Sequence, residues 1–440
     1  MDHAIVVAAG TGIENTDLSS YGNIEFGALP QIKRLVITAQ RAGIQHFTII
    51  TEDSDAPLRD LLANDKRIKS TIDWVSIQDT IQFEHIPYLI IQSNLLTTPK
   101  ALTDFIAEET ENDLLYILSD IATDPWVKID GEQIMEITPN GGKAVGAFIA
   151  SGEVLNQYYS DSKSLYSMVP QLVHEGKARY RKFIGKYWMR LSDDANTAKE
   201  AEDLIFNYVG KTATGWISRN INSKFSLPTS RQLIKTPLSP NMISIGINVI
   251  GSLCGIFYAL GHPVIGALFM HTATILDRCD GEVARVKLME TKKGEWVDTI
   301  SDQFTVLSFL LGVPIGYYLI SGKPIALILG GINIFIFLFF VIWSFYFLTR
   351  YTNSGSLVTY FKVDNLVEPQ KTSFIRRIIK IVRPMGRRNV YSTAFIFIAI
   401  FGGYPWVLGI TTIAAILFFI HQFEDILKLR RIKPDKQIQD

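Results

Sequence analysis

Four aspartates, Asp277, Asp280, Asp298 and Asp302, fall within DRCDGEVARVKLMETKKGEWVDTISD, residues 277–302. Asp277 and Asp280 are three residues apart and Asp298 and Asp302 four, so on helices each pair presents its carboxylates to one side. Gly281 and Ala284 extend the first face and Gly294 the second, leaving room for something bulky beside the backbone. Hard oxygen ligands of this kind suit Mg²⁺ or Mn²⁺, and two such ions can clamp a pyrophosphate. Arg285 adds a planar donor set for phosphate. A solvated loop of salt bridges and helix caps would account for any one of these aspartates, but not for all of them at these intervals.

The flanking segments must position these groups. PVIGALFMHTATIL, residues 263–276, spans 14 residues, or about 21 Å of helix at about 1.5 Å per residue. A bilayer core of about 30 Å needs more. The helix is therefore expected to continue through Asp277, Asp280 and Ala284, bringing carboxylates to the hydrocarbon boundary, where they need a compensating partner. Six apolar segments are expected, at about 241–261, 263–286, 295–320, 324–349, 388–403 and 405–424. With both ends cytosolic, the outward connections at His262, Lys323 and Gly403 carry one lysine between them. The inward stretches are basic, with Arg350, Lys362, Arg376, Arg377 and Arg383 after the fourth segment and Lys428, Arg430 and Arg431 after the sixth. This is the positive-inside pattern.

The chain has 440 residues and a formal net charge of zero, so no global basic field argues for a nucleic-acid partner. Its two cysteines, Cys254 and Cys279, exclude a disulfide framework and a cysteine-based zinc site. MDHAIVVAAGTG reads as a strand entering a Gly-rich turn rather than a signal peptide, which predicts a cytosolic first half. There AIVVAAG, PQIKRLVITAQRAGI, HFTIIT, YLIIQS and LLYILSD alternate strand and helix patterns, predicting an α/β domain with a largely parallel sheet. The expected division is 1–210 for this domain, 211–236 for a juxtamembrane region, 237–426 for an all-α membrane domain and 427–440 for a cytosolic tail. In the juxtamembrane region Trp216, Ile217, Ile221 and Phe225 recur at roughly helical spacing among Arg219, Lys224, Arg231 and Lys235. That pattern fits either a helix in the membrane interface or a solvated linker helix. SFIRRIIKIVR, residues 373–383, is expected on the cytosolic surface, with Phe374, Ile378 and Val382 in line.

The acidic stretch resembles the signature of the CDP-alcohol phosphotransferases, D-x2-D-G-x2-A-R-x8-G-x3-D-x3-D, which reads here as Asp277, Asp280, Gly281, Ala284, Arg285, Gly294, Asp298 and Asp302. The resemblance implies six membrane helices around a polar cavity open to the cytosol and two bound Mg²⁺ or Mn²⁺ ions. It assigns metal binding to Asp277, Asp280, Asp298 and Asp302, with Asp302 also the general base for an acceptor hydroxyl. It assigns the CDP moiety to Asp277, Gly281, Ala284, Arg285 and Gly294. TPLSPNMIS resembles the opening of the family's first membrane helix, which adds Asn241 and Ser244 to the nucleotide site.

The N-terminal half resembles the Rossmann-like nucleotidyltransferases. The resemblance places a nucleotide phosphate turn at Gly10 and Gly12, a metal-binding aspartate at Asp120, and Asp193 or Asp194 near a second metal position. The order of domains resembles the two-domain di-myo-inositol phosphate phosphate synthase type and its archaeal relatives. Yet Ile13, Glu14 and Asn15 follow Gly12, and Gln31 follows Pro30, where that family has cations for a triphosphate. A catalytically degenerate domain is therefore expected. RRNVY, residues 387–391, offers Arg387 and Arg388 either to an acceptor phosphate or as positive-inside anchors, and Asn389 stands where relatives often have an aspartate. His271 and His421 are expected as buried, hydrogen-bonded histidines within membrane segments.

The expected activity is transfer of a substituted phosphate group from a CDP-linked donor, CDP-diacylglycerol or a CDP-inositol-like compound, to a hydroxyl acceptor, with release of CMP. A bifunctional enzyme that also makes the CDP-alcohol and a non-catalytic membrane-anchored nucleotide-binding protein are the alternatives. The expected setting is multi-pass in an inner-membrane lipid bilayer, and the family resemblance implies a homodimer through the membrane helices.

Overall fold

The protein is described from a computed structural model, which describes residues 1–12, 16–52, 56–120, 127–130, 133–137, 145–160, 162–183, 185, 187–212, 218–352, 354–360, 388–401 and 403–429. Ile13 to Asn15, Trp216, Ile217, the 373–383 stretch, Arg387 and the basic tail from Arg430 lie outside the described residues, as does the side chain of His421. The chain forms two compact units, Met1–Tyr208 and Val209–Asp440.

The first unit is built on a nine-stranded sheet. Its strands run in the spatial order Thr71–Ser76, His46–Thr51, His3–Val7, Pro87–Gln92, Ala147–Ser151, Leu115–Ser119, Ala178–Lys182, Gln133–Ile137 and Val127–Asp130. His3–Val7 pairs in parallel with both neighbours, Val7 standing against Ile50 on one side and Gln92 on the other. Ala147–Ser151 enters antiparallel between Pro87–Gln92 and Leu115–Ser119, so the sheet is mixed. The apolar run of the first strand follows from burial on both faces: Ile5 and Val7 join one core, Ala4 and Val6 the other, as alternation along a strand requires.

The second unit is helical. A short π turn, Ser218–Asn222, leads into the helix Ser223–Leu233. Six apolar helices follow in chain order: Pro240–Ala259, Pro263–Leu276, Lys292–Ser321, Ile325–Tyr351, Arg388–Phe401 and Gly403–Leu429. Among the described residues four of them, the first, third, fourth and sixth, are long and apolar enough to cross a membrane. The second and fifth have 14 residues each, about 21 Å, so the expected six spans are matched by four of full length. The second helix turns at Asp277, which keeps right-handed helical angles (φ −47°, ψ −26°), and resumes as Arg278–Val286.

The first and third helices approach almost backbone to backbone. A Cβ on Gly255 would lie 2.1 Å from the Ser308 carbonyl oxygen, and one on Gly312 would lie 2.1 Å from the Gly255 carbonyl oxygen. Small residues permit this separation, which is how helices pack without a solvent-driven hydrophobic force. Toward the acidic stretch, Asn248 replaces the glycines as the tie. It donates to Ser301 Oγ at 3.1 Å and accepts from Thr305 Oγ1 at 2.8 Å, all three side chains being buried.

Candidate active site

The third helix, expected from about residue 295, starts at Lys292. Thr291 is the N-cap and its Oγ1 accepts from the Gly294 amide at 3.0 Å, satisfying a donor that the first helical turn leaves unpaired. That cap sets the register of the helix, so Asp298 and Asp302 emerge on one side, one and two turns beyond Gly294. A Cβ on Gly294 would stand 3.3 Å from Asn241 Oδ1, which puts Asn241 beside Gly294 at the head of the first helix.

Asp277, Asp298 and Asp302 converge: one carboxylate oxygen from each lies within 4.8 Å of the others. Asp280 stands next to Asp298 and is buried. It accepts from the Ser244 hydroxyl and from the Gly281 amide at 2.5 Å. The Arg285 guanidinium lies over Gly281, its nearest nitrogen 3.3 Å from where a Cβ would be. The sequence-predicted Asp277, Asp280, Asp298, Asp302, Asn241, Ser244, Gly281, Gly294 and Arg285 are thus gathered at adjoining ends of three helices, and Ala284 shares the Asp280 face, partly buried.

The donor set fits a divalent cation. Three partly buried carboxylates share one small volume, and Asp298 Oδ1 is buried with no hydrogen-bond partner among the described residues. Oxygen-only ligation of this kind suits a hard ion.

Arg388, at the start of the fifth helix, donates from Nη1 to Asp302 Oδ1 at 2.6 Å and to Asp277 Oδ1 at 3.2 Å. It sits inside the acidic cluster with its side chain 15% exposed, not at a solvated helix end. Its Nε and Nη2 are buried without a hydrogen-bond partner among the described residues. His271 Nδ1 lies 3.1 Å from the Ser392 hydroxyl, hydrogen-bonded as expected but partly rather than fully buried.

Sequence reasoning missed a second ionic group behind the motif. Glu282, with no exposed surface, faces Arg278, Ser226 and Ser230. The i, i+4 pair Arg278 and Glu282, and the i, i+4 serines on an otherwise amphipathic helix, were the available signals.

In the first unit the glycine turn is described up to Gly12 and again from Thr16. Gly10 has φ +77°, and a Cβ there would meet the Lys163 carbonyl oxygen at 2.9 Å, so glycine is required for the turn itself. The Gly12 amide donates to the Thr16 carbonyl at 2.8 Å. Asp120 accepts from Trp188 Nε1 at 2.9 Å and Asp193 from the Tyr21 hydroxyl at 2.8 Å. Burial first, and then Asp193 beside it, pushes the Tyr21 hydroxyl up from its ordinary pKa, so it remains a donor. Asp194 accepts from the Asn196 amide at 2.8 Å. Among the described residues of this unit, no three acidic, histidine or cysteine ligands come together. Gln31 is buried and donates to the Leu95 carbonyl at 2.5 Å.

Comparison with known proteins adds to this geometry. Residues 238–374 match the family model for CDP-alcohol phosphatidyltransferase. The chain is 29% identical over 161 residues to a bifunctional IPC transferase and DIPP synthase of Aquifex aeolicus, covering 36% of each chain. It is 31% identical over 133 residues to the protein of the same description from Archaeoglobus fulgidus, covering 30% of this chain and 27% of that one. These matches span little more than a third of the relatives' length at most. Among solved structures, the inositol-1-phosphate CTP transferase of T. maritima aligns with 46% of this chain and 96% of its own, at 17% identity and a TM-score of 0.36.

Proposed function

We propose, from the premise that residues 238–374 form a CDP-alcohol phosphatidyltransferase domain, that the chain transfers a substituted phosphate group from a CDP-linked donor to an alcohol acceptor and releases CMP. The convergence of Asp277, Asp298 and Asp302 within 4.8 Å, on helices that also carry Gly281, Arg285 and Gly294, is the observation that supports this reading most directly. Asp277, Asp280, Asp298 and Asp302 would hold Mg²⁺ or Mn²⁺, as two ions, and a bound cation would offset the negative charge of the pyrophosphate.

The chain's own groups account for the remaining requirements. Gly281 and Gly294 let the nucleotide approach the backbone, with Asn241, Ser244 and Ala284 around it, and Arg285 faces its phosphates. Asp302 takes the proton of the acceptor hydroxyl as that oxygen bonds to the phosphorus next to the donor alcohol. The bridging P–O bond to CMP breaks, and CMP departs with the electron pair. Arg388, with two nitrogens unpartnered among the described residues, is oriented to receive an anionic acceptor while holding Asp302 in place; Arg387 is the second candidate for that acceptor.

The first unit is read as catalytically degenerate: Gly12's amide is tied within its own turn and Gln31 binds a backbone carbonyl where a cation would face triphosphate. The setting is a multi-pass protein of an inner-membrane lipid bilayer with both termini cytosolic, paired as a homodimer through membrane helices. CMP release from a panel of CDP-alcohols and hydroxyl acceptors, including CDP-diacylglycerol and a CDP-inositol compound, tests the proposal. Purified protein with Mn²⁺ or Mg²⁺ should release CMP with at least one pair and stop in EDTA. Release that persists undiminished in EDTA, or none with any pair, would refute it.

A further inference from the structure

The helix that carries Asp280 and Arg285 has two working faces. Asp277, Asp280 and Ala284 share one; Glu282 lies two residues beyond Asp280, about 200° round a helix of about 3.6 residues per turn, and Arg278 shares its side. On that reverse face the Glu282 carboxylate, 0% exposed, receives four hydrogen bonds: Ser226 Oγ at 2.8 Å, Ser230 Oγ at 2.7 Å, Arg278 Nη2 at 2.9 Å and Arg278 Nε at 3.2 Å. Arg278 continues the chain of contacts to Ser218 Oγ at 2.8 Å and to the Ser218 carbonyl. Farther along, Lys287 Nζ donates to the Thr236 carbonyl at 2.9 Å.

The two serines belong to one helix, with Ser218 just before it and Thr236 just after. Ser226 and Ser230, both 0% exposed, form the buried stripe of the helix Ser223–Leu233. Its opposite side leaves Phe225 58% exposed, with Lys224 and Arg231 alongside, as a helix in the membrane interface would. Burying a carboxylate and a guanidinium together is costly, and apolar residues of similar size commonly serve stability as well or better. Stability alone therefore does not explain an ion pair at this place. Geometry does: Arg278 grips Oε1 through two nitrogens, and the Ser226 and Ser230 hydroxyls take Oε1 and Oε2, so the carboxylate is held at both oxygens and fixed in rotation as well as distance.

We infer that Glu282, held by Arg278, Ser226 and Ser230, is a positioning residue that sets the rotation of the Arg278–Val286 helix and so aims Asp280 and Arg285 at the metal and nucleotide site. This rests on the function proposed above. With side-chain tips about 5 Å from the helix axis, a turn of about 20° displaces a carboxylate by nearly 2 Å, whereas productive sites tolerate about 0.5 Å. The carboxylate thus acts on the site only through the helix it locks.

Mn²⁺ binding to the purified full-length protein, followed by the loss of the free-ion EPR signal without substrates, separates the possibilities. Glu282→Gln keeps the shape and loses the charge; Ser226→Ala with Ser230→Ala removes the other side of the clamp. Each variant should elute as wild type on size exclusion yet bind Mn²⁺ about tenfold to a hundredfold more weakly, the usual scale for groups that orient metal ligands. Their CMP release should recover most of the wild-type kcat at saturating Mn²⁺, with a raised KM for the CDP donor. If wild type bound no Mn²⁺, the proposed function itself would fail. If wild type bound it and both folded variants matched its affinity, the positioning role would fail alone. Recovery of both variants only as aggregates would also overturn it, because Glu282 would then hold the fold rather than aim the motif.

Discussion

At the scale of single residues, the chemistry depends on which carboxylates and cations share the acidic cluster. The aspartates were legible because their intervals match helical geometry: Asp277 with Asp280, and Asp298 with Asp302. Arg388 was legible as a candidate for an acceptor phosphate or as an anchor, but not as a partner of the aspartates, since its bonds to Asp277 and Asp302 join positions 111 and 86 residues apart. No local pattern encodes such a pairing. The placement leads to a kinetic prediction. Arg388→Ala should raise KM for a phosphate-bearing acceptor by about tenfold to a hundredfold, the equivalent of about 1.5–3 kcal/mol for a hydrogen bond to a charged group, while KM for the CDP donor moves by less than about threefold. Steady-state kinetics with each substrate varied in turn would measure both. An unchanged acceptor KM with reduced kcat would confine Arg388 to holding Asp302.

At the scale of elements, the site depends on how closely the first and third helices meet. Gly255 and Gly312 allow contact at the backbone, the Asn248, Ser301 and Thr305 bonds fix the register of these two helices, and Ser244 ties the first of them to Asp280. Gly255→Ala should lower the melting temperature in detergent, since overpacking of this kind costs about 1–3 kcal/mol. Gly246→Ala, on the same helix with nothing within 4 Å of the added Cβ, should leave it unchanged or slightly raised. Equal melting of the two variants would show that the close crossing does not limit stability. Hydropathy located the apolar helices well, because lipid exposure leaves a long, unbroken signal. The second helix has the expected 14 apolar residues and the expected charged continuation past Asp277, as Arg278–Val286, but hydropathy could not show that Ser226 and Ser230 face a buried glutamate. In the first unit, apolar runs gave the strands, but the antiparallel insertion of Ala147–Ser151 depends on long-range pairing.

At the scale of the whole molecule, the two units are assigned different work. The α/β unit keeps its sheet and its two cores, while Asp120 accepts from Trp188 and Asp193 from Tyr21, and Gln31 holds a backbone carbonyl. Incubating the full chain with CTP and inositol phosphates should therefore yield no pyrophosphate above the rate without protein; steady production would establish a second activity. The proposed topology is equally open to measurement. Single cysteines introduced at Asp79 and Gln439 should react with an impermeant maleimide from the cytosolic side, and one at Lys323 only from the opposite side, in a background lacking Cys254 and Cys279. Labelling of all three from one side would contradict the proposed arrangement of crossings. We place the chemistry at the acidic cluster of the helical unit, with Asp302 as base. The most direct measurement is CMP release by the full chain reconstituted in vesicles, wild type against Asp302→Asn, with CDP binding recorded in parallel. The account predicts a fall in turnover of about 10²–10⁴-fold, the range for loss of a general base, with CDP affinity within a few-fold of wild type. An Asp302→Asn protein that turned over at the wild-type rate would contradict it.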